Sequence, residues 1–269
     1  MNKSKVLKLA SWNVNSLRVR LDQVLEWLES SHVDILAMQE TKLIDENFPA
    51  APFIERGFHV AFSGQKTYNG MAIVSKMPID DVMTDIPDLA DPQRRILAVT
   101  IAGIRLINLY VPNGAAFGTD KFEYKLMWLE KVTAFIKQQL NTYPMLAVVG
   151  DFNVAPEDKD VHDPDEWKGC VLVSPEEREA FFNLLSLGLK DSLREFTQEG
   201  QLYSWWDYRA GGFRRNRGLR IDHILLSEGL GAHCLESRID VEPRRAERPS
   251  DHTPVFVTLS GYENMPIVY

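Results

Sequence analysis

Val148-Val149-Gly150-Asp151-Phe152-Asn153-Val154 sets an acid and an amide two positions apart, directly after the apolar run Met145 to Val149. That run is short and rich in β-branched residues, the pattern of a buried strand. In extended backbone, residues i and i+2 point the same way, so Asp151 and Asn153 can reach one site from a strand end. A carboxylate is costly to bury without a partner. Taken alone, Asp-x-Asn also describes a turn in which Asp151 caps its own backbone. The pattern recurs, however. Ser11-Trp12-Asn13-Val14-Asn15 closes a strand that begins at Val6, and Gln39-Glu40-Thr41 follows the apolar Ile35 to Met38. Tyr110 and Asn113 close Ile104 to Tyr110, Asp222 lies in the strand Ile221 to Leu226, and Asp251-His252 precedes the strand Val255 to Leu259.

Polar groups at the ends of rigid strands are where catalysis concentrates. The collected set, Asn13, Glu40, Tyr110, Asp151, Asn153, Asp222 and Asp251-His252, offers oxygen ligands and one notable histidine. Mg²⁺ or Mn²⁺ takes one or two carboxylates and keeps several waters, whereas zinc wants clustered Cys and His. A hard cation with few protein ligands suits phosphate-ester hydrolysis, in which it stabilises charge on the transition state and the leaving oxygen. His252 follows an acid and opens a strand. A carboxylate on its ring fixes the tautomer and favours the imidazolium, and Asp222 is the candidate partner. His223 adjoins Asp222 and faces the other way. His32, His59, His162 and His233 read as structural or solvated.

The elements that must carry these residues are legible in outline. Leu21, Val24, Leu25 and Leu28 mark an amphipathic helix, and Phe122 to Leu140 marks a long one. Gly57–Ser63 and Met71–Ser75 are joined by a segment ending in Asn-Gly, and Arg95–Ile101 and Ile104–Tyr110 by Gly103, so both pairs read as hairpins. Ser174-Pro175-Glu176-Glu177 is a capping box with proline at the first helical position. The acidic stretch after Asp151, through Glu166, reads as a solvated loop. His233 to Val241 reads as a further strand, and Gly261–Tyr269 as an unassigned tail. Ser11-Trp12-Asn13-Val14 echoes Asp151-Phe152-Asn153-Val154, as two similar half-sandwiches would, although four residues do not make a repeat.

Composition is that of an ordinary globular protein, with 45% hydrophobic and 25% charged residues over 269 positions. No linker or low-complexity segment divides it, so residues 1–269 are expected to form one catalytic domain. No run approaches the roughly 18 apolar residues of a membrane span. Ile96 to Val111 is interrupted by Thr100, Arg105 and Asn108. There is no signal-peptide core, and the two cysteines, Cys170 and Cys234, fit no disulfide framework or zinc spacing. A reducing cytoplasm is expected. The net charge of −8 argues mildly against nucleic acid, but binding depends on local patches. One such patch stands out, since Arg209, Arg214, Arg215, Arg217 and Arg220 adjoin Trp205 and Trp206 with no acid between Arg209 and Arg220. Arginines contact phosphates, and aromatic rings pack on exposed sugars or bases.

Trp12-Asn13-Val14-Asn15, Gln39-Glu40-Thr41-Lys42, Asn108 to Pro112, Gly150-Asp151-Phe152-Asn153, Ser204 to Arg209, Gly218 to Asp222 and Ser250-Asp251-His252 stand in one order along nearly the whole chain. In that order they resemble the exonuclease III family of apurinic/apyrimidinic endonucleases, within the endonuclease/exonuclease/phosphatase superfamily. The resemblance implies a four-layer α/β sandwich, two mixed β-sheets face to face with helices outside. It implies Mg²⁺-dependent (or Mn²⁺-dependent) hydrolysis on the 5′ side of abasic sites in double-stranded DNA, with trimming of damaged 3′ ends as exonuclease or phosphatase. It places the metal at Glu40, helped by Asn13 or Asp251, and catalysis at Tyr110, Asp151, Asn153, Asp222 and His252. Asp151 then activates water and His252 donates to the phosphate, or His252 is the base and Asp151 protonates the leaving group. Tyr110 hydrogen-bonds the phosphate or assists as phenolate. Trp205, Leu219 and Ile221 wall a pocket for the flipped abasic sugar, and Asn113, Arg209 and Arg217 touch DNA. A monomer without membrane contact is expected. Competing readings are a superfamily phosphatase acting on small molecules or lipid headgroups, which needs no arginine-flanked aromatic element, a non-catalytic DNA-binding module, and a plain scaffold.

Overall fold

A computed structural model describes residues 6–261. Residues 262–269, the bulk of the unassigned tail, lie outside the described residues. The strands are β1 Val6–Asn13, β2 Ile35–Gln39, β3 His59–Ser63, β4 Met71–Ser75, β5 Asp80–Met83, β6 Ile96–Ile101, β7 Ile104–Tyr110, β8 Leu146–Asp151, β9 Leu189–Asp191, β10 Trp205–Trp206, β11 Gly218–Leu219, β12 Asp222–Ser227, β13 Cys234–Ile239 and β14 Val255–Ser260. The helices are α1 Leu17–Ser31, the single-turn α2 Ala51–Ile54, α3 Asp120–Thr142, α4 Pro164–Trp167, α5 Pro175–Leu185, α6 Ser192–Phe196 and α7 Glu228–Gly231.

Two six-stranded sheets form, in the orders β13-β14-β1-β2-β4-β3 and β5-β6-β7-β8-β12-β9, with β10 and β11 as a separate pair. Both are mixed. β1 runs parallel to β2 and β7 parallel to β8, while the remaining pairings are antiparallel. The echo between Ser11–Val14 and Asp151–Val154 has a counterpart here. β1 and β8 each sit beside a parallel partner on one side and an antiparallel one on the other.

Side-chain alternation builds four layers. Leu7, Leu9, Ile35, Ala37, Leu106, Ala147, Val149, Ile224 and Leu226 fill the space between the sheets. Their neighbours in sequence point outwards. Ala10, Trp12, Leu36 and Met38 pack on Val24, Leu25 and Leu28 of α1. Ile107, Leu109, Leu146 and Val148 pack on Trp128, Leu129, Val132 and Ile136 of α3 and on Phe181 and Leu184 of α5. The α/β/β/α sandwich, both hairpins and the capping box of α5, in which Ser174 and Glu177 bond reciprocally, are as the sequence implies. The acidic stretch after Asp151 is not. Val154, Ala155, Asp160 and Val161 are buried there, because Asp160 is the counter-ion of two arginines, Arg194 and Arg220.

Candidate active site

The alternation that fills the inter-sheet space with apolar groups also delivers the polar ones. Continuing Leu7 and Leu9 by steps of two leads to Ser11 and Asn13. Continuing Ile35 and Ala37 leads to Gln39, Ala147 and Val149 lead to Asp151, and Ile224 leads back to Asp222. Register sets them abreast, since Tyr110 pairs with Asp151 across β7/β8 and Asp222 pairs with Asp151 across β8/β12. At Gly150 the backbone has φ of 141°, and a Cβ there would sit 1.9 Å from the carbonyl oxygen of Leu109. Only glycine lets β8 approach β7 this closely just before the acid.

Hydrogen bonds join the two sheets through these side chains. Asn13 Nδ2 donates to Glu40 Oε1 and to Asp151 Oδ2, both at 2.9 Å, while its Oδ1 accepts from Asn15 N at 3.0 Å. His252 Nδ1 lies 2.9 Å from Asp222 Oδ2, and its Nε2 lies 3.6 Å from Asp151 Oδ2. Asp151 Oδ1 accepts from Asn153 N at 2.9 Å, so Asp151 caps its own turn with one oxygen and faces the site with the other. Asn153 is held left-handed (φ 49°) by bonds from its Nδ2 to Val111 O at 3.0 Å and from Asn113 Nδ2 to its Oδ1 at 3.2 Å. Glu40 (φ 52°), Lys42 (φ 57°) and Asn15 (φ 43°) are left-handed too. Non-glycine residues in this region are uncommon and gather at functional sites.

Burial and charge divide the protons. Burial opposes charge on His252, but the carboxylates of Asp222 and Asp151 outweigh it and hold the ring as imidazolium, with a pKa pushed up to about 10. Burial and the neighbouring Asp222 and Glu40 carboxylates push Asp151 up to about 7, against the pull of His252. Burial, then Glu40 and Asp151, raise the Tyr110 phenol well above its ordinary value. In this arrangement Tyr110 is a hydrogen-bond donor, and the phenolate role considered from sequence is disfavoured.

The donor set fits a hard cation. Glu40, Asp151 and Asp222 offer carboxylate oxygens, and Asp222 Oδ1 is buried without any hydrogen-bond partner. Ligand atoms of Asp151, Asp222 and His252 lie within 4.8 Å of one another. The ring in that trio is a charged ion-pair partner of both acids, however, and a metal ligand must be neutral imidazole. The oxygens, without the ring, are the ones suited to Mg²⁺ or Mn²⁺. Asn13 aims its amide nitrogen, not its oxygen, at Glu40. Asp251 stands apart, with Oδ1 accepting from Asn15 at 2.9 Å and Oδ2 from Trp205 Nε1 at 3.0 Å.

The expected sugar pocket and arginine patch are partly rearranged. Leu219 and Ile221 are buried in one cluster with Ala155, Val161, Leu172 and Val173, and Trp167 and Trp205 pack at its edge. Trp205 is half-buried and is the open member of the predicted wall. Arg209 is 88% exposed beside Asp207, and Arg217 pairs with Glu166 at the surface. Arg220 does not belong to a DNA-facing patch. It is buried, bonded to Asp160 and Asp191, and lies 3.0 Å from Nδ1 of His223. His223 faces away from the site as expected, and burial, then Arg220, pull it down to about 4, so it is neutral.

Three supporting sets of contacts are not legible in the sequence. Gln39 Nε2 donates to Asn108 Oδ1 at 2.7 Å and to Ser11 Oγ at 2.9 Å, crossing between the sheets behind the site. Lys42 Nζ lies 3.0 Å from Glu40 Oε2 and 2.5 Å from Asn15 Oδ1. Lys125 and Glu177 form an ion pair with no exposed surface. Asn108 and Lys42 were visible as motif members, but their partners lie far away in sequence.

Comparison with known proteins agrees with this geometry. The profile of the endonuclease/exonuclease/phosphatase family matches residues 10–252. Exodeoxyribonuclease III of Haemophilus influenzae is 34% identical over 263 residues, covering 93% of this chain and 98% of the relative. The structure of the 3′ phosphatase NExo from Neisseria, bound to a product DNA hairpin, superposes with a TM-score of 0.94 at 47% identity, over 95% of this chain and 100% of the other. An AP endonuclease from Archaeoglobus fulgidus gives 0.91 at 40% identity, over 94% and 99%. Shared fold over both sheets and shared sequence over nearly the whole length lead to one assignment: the chain belongs to the endonuclease/exonuclease/phosphatase family, in its exodeoxyribonuclease III branch.

Proposed function

We propose that the chain is a DNA-repair nuclease, a single catalytic domain that hydrolyses the phosphodiester on the 5′ side of abasic sites in duplex DNA and trims blocked 3′ ends. The observation that carries the reading is the convergence of Asn13, Glu40, Asp151, Asp222 and His252 at one end of the sandwich, next to the half-open Trp205. Glu40 would hold Mg²⁺ or Mn²⁺, which when bound neutralises charge on the phosphate and the leaving oxygen. Asp151 orients and deprotonates the attacking water, with Asn13 and Asn153 fixing its two oxygens. His252, charged and steered by Asp222, donates to a phosphate oxygen. Tyr110 and Asn113 donate to the phosphate from the β7 side. Arg209 and Arg217 neutralise backbone phosphates, and Trp205 packs on the extruded sugar. Asp251 acts at one remove by fixing Trp205 and Asn15. The free cysteines suit a reducing cytoplasm, and a monomer suffices, since every invoked group comes from one chain.

Burial of Leu219 and Ile221 favours a second reading, in which 3′-terminal phosphates and nucleotides are the preferred substrates, because little of the expected pocket is open to an internal sugar. One assay weighs both. A 5′-labelled duplex with a single tetrahydrofuran residue resists β-elimination, so any cut is hydrolytic. A single Mg²⁺-dependent, EDTA-sensitive cut 5′ to the lesion establishes the endonuclease. Release of phosphate from a 3′-phosphorylated end, or a ladder of shorter bands, without that cut establishes the second reading. Inertness on every DNA, with turnover of small phosphate esters, would overturn both in favour of a small-molecule phosphatase.

A further inference from the structure

Lys125 lies on α3, outside the constellation, with no exposed surface. Its ammonium has three N–H groups, and all three are used. One meets Glu177, one donates to the carbonyl of Asn153 at 2.6 Å, and one donates to the carbonyl of Asn113 at 3.2 Å. Glu177 is equally committed, accepting from Leu172 N at 2.9 Å and Ser174 N at 3.0 Å. A buried ion pair is weak support for stability, since apolar side chains of similar volume often serve as well. The partners of this pair are more telling. Asn113 and Asn153 are the two amides on the β7/β8 side of the site, they bond each other, and Asn153 holds a left-handed backbone. Such a conformation persists only where its surroundings over-determine it. Of the bonds that hold it, the one from Lys125 comes from a charged donor, the stronger kind. The fit is close, because a Cβ on Gly114, next to Asn113, would lie 3.1 Å from Lys125 Cδ.

We propose that Lys125 is a positioning residue for catalysis. Anchored by Glu177, it clamps the backbones of Asn113 and Asn153 so that their side chains meet the phosphate and the attacking water in fixed geometry. The proposal rests on the functional reading above. It acts through Asn153, which in turn orders Asp151 Oδ1, and not by contact with substrate.

The test is a double-mutant cycle on the abasic duplex. Lys125→Met is combined with Glu177→Gln, so that no lone charge is left buried, and thermal melting verifies folding. We expect kcat to fall by about tenfold to a hundredfold, the scale of a misplaced catalytic group, with KM nearly unchanged. Once Asn153 is already alanine, the same pair of changes should cost kcat clearly less than in the wild type, because the amide side chain they position is gone while the backbone N–H to Asp151 and the Asn113 amide remain. A residue that merely holds up the fold would give additive losses, or parallel losses in kcat and melting temperature, and either result overturns the proposal. If the neutralised pair does not fold, the same cycle is run with Lys125→Arg, whose planar fork cannot meet the three acceptors together, and additivity there overturns it equally. An inactive wild type would sink the functional reading along with this one, whereas an active wild type with additive losses sinks only the role of Lys125.

Discussion

His252 Nε2 stands 3.6 Å from Asp151 Oδ2, too far for a direct hydrogen bond and close enough for one oxygen of substrate or water to bond to both from the side. The other ring nitrogen is fixed on Asp222. The site therefore holds a charged donor and a carboxylate facing each other, with protonation set by what surrounds them. Sequence reasoning left open which of the two is the base. Their opposed titrations, Asp151 at about 7 and His252 at about 10, favour Asp151 as base and His252 as donor.

A pH–rate profile should bear this division out. With Asp151 as the proposed base and His252 as the proposed donor, kcat/KM should rise through the Asp151 pKa and fall through that of His252. Because the Asp222 carboxylate raises the histidine pKa, Asp222→Asn should move the alkaline limb to lower pH while leaving the acidic limb in place or lower. An alkaline limb unmoved by Asp222→Asn would remove His252 from its role.

The same groups make a prediction for stability without metal. Asp151 titrates at about 7 in the fold against an ordinary 3.8, so between those values the folded chain keeps a proton that the unfolded chain has lost. Stability must then fall as pH rises across that window. His252 adds a second decline, its contribution being full below 6.5 and lost as pH rises through about 10. Melting temperature should therefore drop from pH 5 to pH 8 in the wild type, and Asp151→Asn should flatten the drop while abolishing cleavage. A steeper drop in the variant would contradict the buried, disfavoured carboxylate. Sites built for chemistry commonly give up stability in this way.

What could be read in advance followed from alternation. Asn13, Asp151 and Asp222 extend apolar ladders on the inner faces, and a period of two is visible in sequence. The hairpins and the capping box are local signals and were equally legible. Arg220 was misread because a run of arginines looks the same whether its members face solvent or an interior acid. Its partners, Asp160 and Asp191, lie 60 and 29 positions away. Lys125 was invisible for the same reason, since in sequence it is one more lysine on an amphipathic helix. The burial of Leu219 and Ile221 depends on Leu172 and Val173, brought over by a segment whose acidic composition suggested solvent.

Gly150 offers a sharp test of the close approach of β8 to β7 just before Asp151. Alanine there needs a strained φ of 141° and places its Cβ against a backbone carbonyl that belongs to the neighbouring strand and cannot move aside. Gly150→Ala should destabilise the protein by more than about 4 kcal/mol, in the exceptional class of point mutations, and so accumulate as insoluble chain. Denaturant unfolding of whatever remains soluble would measure it, and a change under about 1 kcal/mol would contradict the strand geometry.

Arg209 and Arg220, eleven residues apart in one basic run, should behave oppositely. Arg209 is 88% exposed, with Asp207 as its partner, so it is free to meet a phosphate. Arg209→Ala should leave melting unchanged, weaken duplex binding equally for all sequences, and reduce the slope of log K against log salt by about 0.9, the loss of one phosphate contact. Arg220→Ala leaves Asp191 without its arginine and Asp160 with Arg194 alone, in a buried site. Removing one partner of such a pair costs about 3–5 kcal/mol. That variant should melt early, and any protein still folded should bind DNA with an undiminished salt slope. Fluorescence anisotropy at several salt concentrations, alongside thermal melting, separates the two. If Arg220→Ala lowered the slope in a fully stable protein, its guanidinium would have to reach solvent, and the buried network described behind β12 would be wrong.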